Sequence, residues 1–217
     1  MAVARAPELV IFDCDGVLVD SELLAARVGR RVLADLGCEV SLDEILERFV
    51  GASSEVYQAG VAEMLGRPLE PGWELPYRAW YAEAFRTELR AVPGIHESLA
   101  LLSLPTCVAS NSGHARIRES LHATGMLSHF DGRIFSAEDV ERGKPEPDVY
   151  LWAAKRMGVA PADCVVVEDS VFGVRAARAA GMRVFAYAGL TSAERLAGER
   201  TMTFDRMTDL PGLIAAL

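Results

Sequence analysis

The feature of this sequence that most restricts its fold is a set of short, apolar, β-prone runs that alternate with helical stretches. The first run is Leu9–Phe12, and further runs lie at residues 106–109, 134–135, 164–167 and 183–187. Runs that are apolar throughout suit strands buried on both faces, as in a parallel sheet covered by helices. The alternation therefore predicts an α/β fold built on a parallel sheet.

The segment from about residue 20 to residue 90 has a different character. Its apolar residues recur with helical spacing, Ser41 has the position of a helix cap, and no convincing strand is present. The alternation of helix and strand resumes after Val92-Pro93-Gly94. We therefore predict a core domain of residues 1–19 and 90–217, with residues 20–89 inserted after the first strand as a small helical domain.

Composition and charge restrict the possible partners. The 217 residues are 51% hydrophobic and carry a net charge of −9. No apolar run approaches the roughly 20 residues that span a bilayer, and residues 1–7 lack the pattern of a signal peptide. The acidic balance disfavours nucleic acid and anionic membranes as partners. It still allows a small anionic substrate, since a metal ion and a lysine can make the electrostatic potential within a cleft positive.

The four cysteines, Cys14, Cys38, Cys107 and Cys164, are widely scattered and form no CxxC pair. We expect them to be reduced thiols, mostly buried, in a cytoplasmic protein. We also expect a monomer or a weak homodimer.

Polar groups follow three of the predicted strands at the point where each strand ends, and a lysine lies in a loop before a predicted helix. Ligands of open parallel sheets bind outside the carboxyl ends of the strands, so we expect these groups to converge although they are far apart in sequence. The residues are Asp13, Asp15, Ser110, Asn111, Lys144, Glu168 and Asp169.

The acidic members of this set predict a metal site. Asp13 and Asp15 are two residues apart, so an extended chain points both carboxylates the same way. With Glu168 and Asp169 they make up to four carboxylates in one pocket, which would destabilise the fold unless a cation lay among them. Oxygen ligands select a hard cation, and Mg²⁺ is the one we expect. Together with Lys144 it would stabilise the charge on a transferring phosphoryl group.

The same residues resemble the motifs of the haloacid dehalogenase superfamily. The run Asp13-Cys14-Asp15-Gly16-Val17-Leu18-Val19-Asp20-Ser21-Glu22 is similar to its first motif and Ser110-Asn111 to its second. Lys144 in Gly143-Lys144-Pro145-Glu146-Pro147-Asp148 is similar to the third motif, and Glu168-Asp169-Ser170 with Gly173 to the fourth. The helical insertion lies where one subfamily, which includes β-phosphoglucomutase-like proteins and sugar-phosphate phosphatases, carries a helical cap.

This resemblance implies a Rossmann-like parallel sheet core, an all-helical cap domain, and a role for each residue. Asp13 would be the nucleophile that forms an aspartyl-phosphate, and Asp15 the general acid and base. The cap would close over the substrate on hinges near residues 16–20 and 90–93. Ser110 and Lys144 would hold the phosphate with Asn111 beside them, and Mg²⁺ would be held by Asp13, the main-chain carbonyl of Asp15, and Asp169, with Glu168 binding directly or through water.

Within the superfamily we predict a Mg²⁺-dependent phosphatase for a small phosphorylated metabolite, either a sugar phosphate or a sugar-acid phosphate. Dehalogenases lack the second aspartate, which is present here as Asp15. Phosphoglucomutases usually carry a Lys and an Arg in their cap and a His after the first motif. The corresponding stretches here, residues 50–54 and 23–25, contain none of the three. A phosphosugar mutase and a non-catalytic binding module on the same fold remain the alternatives.

The stretch Arg48-Phe49-Val50-Gly51 resembles bacterial sugar-phosphate and phosphogluconate phosphatases of this branch. Arg48, together with Arg27, Arg30 and Arg31, is a candidate for contact with a substrate carboxylate or sugar hydroxyls. For any one of these arginines, a place on a solvated helix face is the more economical interpretation.

Overall fold

A computed structural model describes residues 6–49 and 54–217 of the chain. The chain divides into two compact units, with boundaries after Val19 and after Leu89. In the described residues the strands are β1 (Leu9–Phe12), β2 (Thr106–Ser110), β3 (Ile134–Ser136), β4 (Cys164–Glu168), β5 (Arg183–Tyr187) and β6 (Thr201–Phe204). The α-helices are α1 (Ser21–Asp35), α2 (Leu42–Phe49), α3 (Ser54–Leu65), α4 (Arg78–Glu88), α5 (Ile95–Leu101), α6 (His114–Ala123), α7 (Asp148–Met157), α8 (Val171–Ala179), α9 (Ala193–Leu196) and α10 (Leu210–Ala215).

The strands form one parallel sheet, in the order β3-β2-β1-β4-β5-β6. The chain builds outward from β1 through β2 to β3, then crosses to the other side of β1 and continues outward from β4. Strand order therefore changes direction between β1 and β4, and a crevice at their carboxyl ends is the usual ligand site in such a sheet. The predicted α/β fold with a helical insertion between its first two strands is confirmed.

The register of the central strands aligns the polar residues that follow them. Phe12 at the end of β1 lies opposite Val108 in β2 and Val167 in β4. Asp13 is therefore level with Glu168, and its N–H donates to the carbonyl of Val167 at 3.0 Å. The end of β2 extends past the end of β1 on the other side. The register thus gathers the predicted site residues at one edge.

The burial of the central strands explains why their apolar runs predicted strands correctly. All four residues of β1 are completely buried, as a central strand covered on both faces requires. One apolar cluster joins alternate residues of β1, β2 and β4 to Val149 and Ala153 of α7 and to Ala176 of α8. Cys107 and Cys164 belong to this cluster, and all four cysteines are free thiols.

The strand β6 was missing from the sequence-based prediction. It pairs with β5 at the edge of the sheet, and of its four residues only Phe204 is buried. A strand that buries a single side chain has no continuous apolar run, so its sequence does not distinguish it from a loop. The neighbouring strand β5 is more apolar and was predicted with the bounds that the structure shows.

The helical unit has an apolar core of its own. Leu33, Ile45 and Val61 are buried in one cluster, against which Tyr57 and Trp73 pack. The N–H of Glu44 donates to the Ser41 hydroxyl at 3.1 Å, so Ser41 caps α2 as predicted. Residues 50–53, which hold most of the stretch compared with phosphoglucomutases, lie outside the described residues. Among the described helices, none is long and apolar enough to cross a bilayer.

Candidate active site

Asp13 lies at the centre of the site. It follows β1 directly, is buried, and accepts a hydrogen bond from Lys144 Nζ at 2.5 Å. Burial is the main cause that raises the pKa of Asp13 from 3.8 to about 7; the charges of Glu168 and Asp15 raise it as well, and Lys144 opposes them. Lys144 therefore does not fully offset the cost of burying an ionised carboxylate at this position.

Lys144 connects two of the carboxylates. Its side chain is only 4% exposed, and Nζ lies 2.5 Å from Asp13 Oδ1 and 2.8 Å from Glu168 Oε1. Burial alone would lower the pKa of Lys144, but the Asp13 and Glu168 carboxylates hold it well above its usual value. The lysine is therefore a fixed positive charge, and it also lies 4.8 Å from the centre of the Tyr150 ring.

Both carboxylate oxygens of Glu168 accept more than one hydrogen bond. Its Oε1 accepts from Lys144 Nζ and from the Tyr150 hydroxyl at 3.1 Å. Its Oε2 accepts from the N–H groups of Asp169 and Ser170 at 2.8 and 2.7 Å, and from the Ser170 hydroxyl at 2.9 Å. These bonds hold the carboxylate rigidly at the end of β4, just before α8 begins. Gly173 makes room for it, since a Cβ there would lie 1.6 Å from Glu168 Oε1.

Asp13, Glu168 and Asp169 form a group that could hold a metal ion. One carboxylate oxygen from each lies within 4.8 Å of the others, and all three residues are buried. Gly16 permits the approach of Asp169, because a Cβ there would lie 1.9 Å from Asp169 Oδ2. A purely oxygen donor set with surplus negative charge fits a hard divalent cation.

Asp15 points its carboxylate toward a different part of the site. Its Oδ2 accepts a hydrogen bond from the Ser112 hydroxyl at 2.8 Å, and Arg116 lies 3.9 Å from Oδ1. This carboxylate does not belong to the three-residue group above. Its expected contribution to the metal site is through its main-chain carbonyl, which stays a prediction.

Ser110 and Asn111 occupy the end of β2 and the residue that follows it. The Ser110 hydroxyl accepts from the Ser112 N–H at 3.1 Å. Asn111 bonds to the main chain of Lys144: its Oδ1 accepts from the Lys144 N–H at 2.8 Å, and its Nδ2 donates to the Lys144 carbonyl at 3.1 Å. The geometry therefore gives Asn111 a second possible role, that of fixing the lysine loop.

Three side chains that donate hydrogen bonds within the site were not predicted from the sequence. Ser112 contacts Asp15, Ser136 donates its hydroxyl to the Ser112 carbonyl at 2.7 Å, and Tyr150 donates to Glu168. Ser112 and Ser136 could have been considered because each lies at or just after a strand end. Tyr150 gave no such signal, because an aromatic residue inside a helix is usually a packing residue.

The helical unit holds the arginines that were considered as substrate contacts. Arg48 forms an ion pair with Glu63. Arg27, Arg30 and Arg31 line an open surface cavity of about 460 Å³ together with Glu39. The Arg31 guanidinium lies 4.0 Å from the centre of the Trp80 ring. Arg48 and Arg31 therefore each have a partner within the helical unit itself, which explains their positions without a substrate.

The chain is similar to a known protein family and to proteins of known activity. The family model for haloacid dehalogenase-like hydrolases matches residues 10–187. The 6-phosphogluconate phosphatase of Escherichia coli (strain K12) is 33% identical over 213 residues, which cover 95% of this chain and 94% of that protein.

Two crystal structures share both the fold and much of the sequence. A conserved haloacid dehalogenase-like protein from Agrobacterium tumefaciens str. C58 is 39% identical with a TM-score of 0.89, over 97% of this chain and 99% of that one. A HAD family hydrolase from Deinococcus radiodurans R1, with bound phosphate and sodium, is 31% identical with a TM-score of 0.85, over 98% and 97% of the two chains. With the family model spanning most of its length and relatives aligned end to end, this chain belongs to the haloacid dehalogenase-like hydrolases and is a phosphatase of that family.

Proposed function

We propose that this protein hydrolyses the monoester of a small sugar phosphate or sugar-acid phosphate, with Asp13 as nucleophile and Mg²⁺ as cofactor. One observation carries the proposal: Asp13 and Lys144 are in contact at 2.5 Å inside a buried group of carboxylates at the carboxyl end of the sheet. A fold has little structural use for several acids and one lysine in such a place, whereas phosphoryl transfer needs all of them.

In the first half-reaction an Asp13 carboxylate oxygen attacks phosphorus, and the bond from phosphorus to the ester oxygen breaks. The electron pair goes to the ester oxygen, which takes a proton from the Asp15 carboxyl and leaves as an alcohol. Lys144 and Ser110 are the residues we assign to hold the phosphoryl oxygens during this step. The product is an aspartyl-phosphate on Asp13.

In the second half-reaction water attacks the phosphorus of the aspartyl-phosphate. The Asp15 carboxylate accepts a proton from this water, and the bond from phosphorus to the Asp13 oxygen breaks. Inorganic phosphate forms, Asp13 is again a carboxylate and Asp15 again carries its proton, so both half-reactions balance. The Asp15 carboxylate can serve both steps because it lies outside the group of carboxylates formed by Asp13, Glu168 and Asp169.

The residues present fit a Mg²⁺ ion. Three buried carboxylates, those of Asp13, Glu168 and Asp169, each offer an oxygen within 4.8 Å of the others, and oxygen is the ligand type that Mg²⁺ prefers. Asp13 and Asp169 are the residues we assign to hold it, with the main-chain carbonyl of Asp15 and with Glu168 directly or through water. When bound, Mg²⁺ supplies positive charge that favours ionised Asp13 and offsets the charge of the phosphoryl group.

The choice of a sugar or sugar-acid phosphate rests on the relatives. The E. coli protein that aligns with 95% of this chain is a 6-phosphogluconate phosphatase, whose named substrate joins a phosphate to a polyhydroxy acid. Arg27 and Arg30, on the exposed face of α1, are the candidates for a substrate carboxylate. The free, mostly buried thiols support the cytoplasm as the compartment.

The test is a phosphate-release screen with Mg²⁺ over sugar phosphates, sugar-acid phosphates, nucleotides and phosphoglycolate, beside p-nitrophenyl phosphate. We expect the highest kcat/KM for a sugar phosphate or a sugar-acid phosphate, and no turnover by Asp13→Asn. A chelator should abolish the activity, and adding Mg²⁺ back should restore it.

Other outcomes would separate the alternatives. Release from nucleotides alone would contradict the substrate class. Interconversion of sugar-phosphate isomers without net release of phosphate would favour the mutase. Absence of turnover across the whole panel, by a protein that circular dichroism shows to be folded, would favour the binding module.

A further inference from the structure

The two carboxylate oxygens of Asp15 have different environments. Oδ2 accepts the Ser112 hydroxyl at 2.8 Å, a contact between residues 97 positions apart in the chain. Oδ1 is buried, and in the part of the chain that the structure describes it has no hydrogen-bond partner. A buried oxygen without a hydrogen bond costs about 1–3 kcal/mol, so its persistence calls for a functional explanation. Oδ2 is therefore anchored by a hydrogen bond, whereas Oδ1 has the Arg116 guanidinium at 3.9 Å, beyond hydrogen-bond distance, and keeps its capacity to bond a group of the substrate.

Ser112 is itself held in place by neighbouring serines. Its N–H donates to the Ser110 hydroxyl at 3.1 Å, and its carbonyl accepts from the Ser136 hydroxyl at 2.7 Å. Ser136 is completely buried at the end of β3, and its own N–H donates to Asp139 at 2.9 Å. The Ser112 hydroxyl is therefore presented to Asp15 from a fixed main chain, supported by two strands of the sheet.

A general acid of this kind needs a defined orientation. The terminal torsion of an aspartate is broad, so an isolated carboxyl samples many directions. A hydroxyl that donates to one oxygen selects a single orientation, and a donor does so whether the carboxyl is protonated or ionised, since that oxygen remains an acceptor in both states. The contact thus persists through both half-reactions, while the proton moves on and off the other oxygen.

We propose that Ser112 is the positioning residue for Asp15, holding its Oδ2 so that Oδ1 is the oxygen that gives the proton to the leaving alcohol and later takes one from water. Ser136 supports this arrangement through the Ser112 main chain. The inference rests on the proposed function, because it assigns a partner to the general acid of that reaction. Ser112 itself exchanges no proton with the substrate.

The test uses the dependence of rate on the leaving group. A p-nitrophenolate ion leaves without much help, whereas phenol and sugar alcohols need a proton from the general acid. For Ser112→Ala we expect kcat/KM to fall about tenfold or more for phenyl phosphate and for the best sugar phosphate, but less than about threefold for p-nitrophenyl phosphate. The ratio kcat/KM is the proper measure because it reports on events up to the release of the alcohol.

Three further variants make the test decisive. Asp15→Asn sets the leaving-group dependence expected when the acid is absent altogether. Ser112→Thr keeps the hydroxyl and should restore most of the lost activity toward poor leaving groups. Ser120→Ala is the control, because Ser120 is a buried serine, lies on α6, and is assigned no part in the site. Its kcat/KM should equal that of the wild type for all three substrates.

A uniform fall across all leaving groups in Ser112→Ala, or no fall at all, would overturn the inference while leaving the proposed function intact, provided that the wild type and Asp15→Asn behave as expected. If the wild type hydrolyses none of these esters, or if Asp15→Asn shows no dependence on the leaving group, the proposed function fails and the inference falls with it.

Discussion

Asn111 holds the main chain of Lys144 on both sides, with its amide oxygen accepting the Lys144 N–H at 2.8 Å and its amide nitrogen donating to the Lys144 carbonyl at 3.1 Å. The two residues come from different loops, 33 positions apart. Gly143 permits this approach, because a Cβ there would lie 2.7 Å from Asn111 Oδ1. The lysine reaches Asp13 and Glu168 from a backbone fixed by this pair of bonds.

This relationship makes Asn111→Ala a test of how much the fixed loop contributes. Removing both bonds should lower kcat/KM about tenfold, because two main-chain groups lose partners worth about 0.5–1.5 kcal/mol each. Steady-state kinetics with the best substrate is the measurement. Glu146→Ala is the control on the same loop, since its side chain is about half exposed and pairs only loosely with Arg142. Equal activity of the Asn111 variant and wild type would show that Lys144 is held without this residue.

A second prediction concerns the space around Glu168. A methyl group at position 173 would lie 1.6 Å from Glu168 Oε1, so Gly173→Ala must displace a buried, fully bonded carboxylate or the start of α8. We expect a loss of about 2–3 kcal/mol in the free energy of unfolding and weakened Mg²⁺ binding. Gly212→Ala is the matched control, because a Cβ there meets nothing within 4 Å. Chemical denaturation of both variants decides the matter, and similar values for the two would contradict the packing described here.

A third prediction concerns Tyr150, whose hydroxyl donates to Glu168 at 3.1 Å from a completely buried position. Tyr150→Phe keeps the ring and removes only this donor, so the free energy of unfolding should fall by about 1–2 kcal/mol. Denaturant unfolding measures this directly. A variant as stable as wild type would mean that the remaining donors to Glu168 suffice.

A fourth prediction follows from the pKa of Asp13, which burial raises to about 7 in the metal-free protein. Because this value lies above the 3.8 of the unfolded chain, the contribution of Asp13 to stability is fully present below about pH 4 and is lost as the pH rises through 7. The Mg²⁺ ion that we propose would bind the ionised form of Asp13. It would therefore have to displace a proton below pH 7 and would meet less competition from protons above pH 7.

The rise in melting temperature on adding Mg²⁺ should therefore grow between pH 5.5 and pH 8. Asp13→Asn has no proton to displace at this position, so its response to Mg²⁺ should depend less on pH over that range. Thermal unfolding at fixed ionic strength, with and without the metal, measures both. The same pH dependence in wild type and variant would assign the effect to another group.

Much of the sheet was predictable from local sequence. Leu9–Phe12 and the run at 164–167 are apolar throughout because central parallel strands have no face in contact with water. The position of Asp13 directly after such a run was enough to predict which end of the sheet it would occupy. The edge strand β6 was not predictable, since only Phe204 has to be buried there.

For the site, the sequence by itself determined which chemical groups lie at the strand ends. A strand ends where its apolar run gives way to polar residues such as Asp13 and Glu168, and this change is visible in a few neighbouring residues. Only the tertiary structure decided which groups touch. The contact of Ser112 with Asp15 and the two bonds from Asn111 to Lys144 join separate loops. Their geometry depends on the register of three strands at once, to within the few tenths of an ångström that a hydrogen bond tolerates.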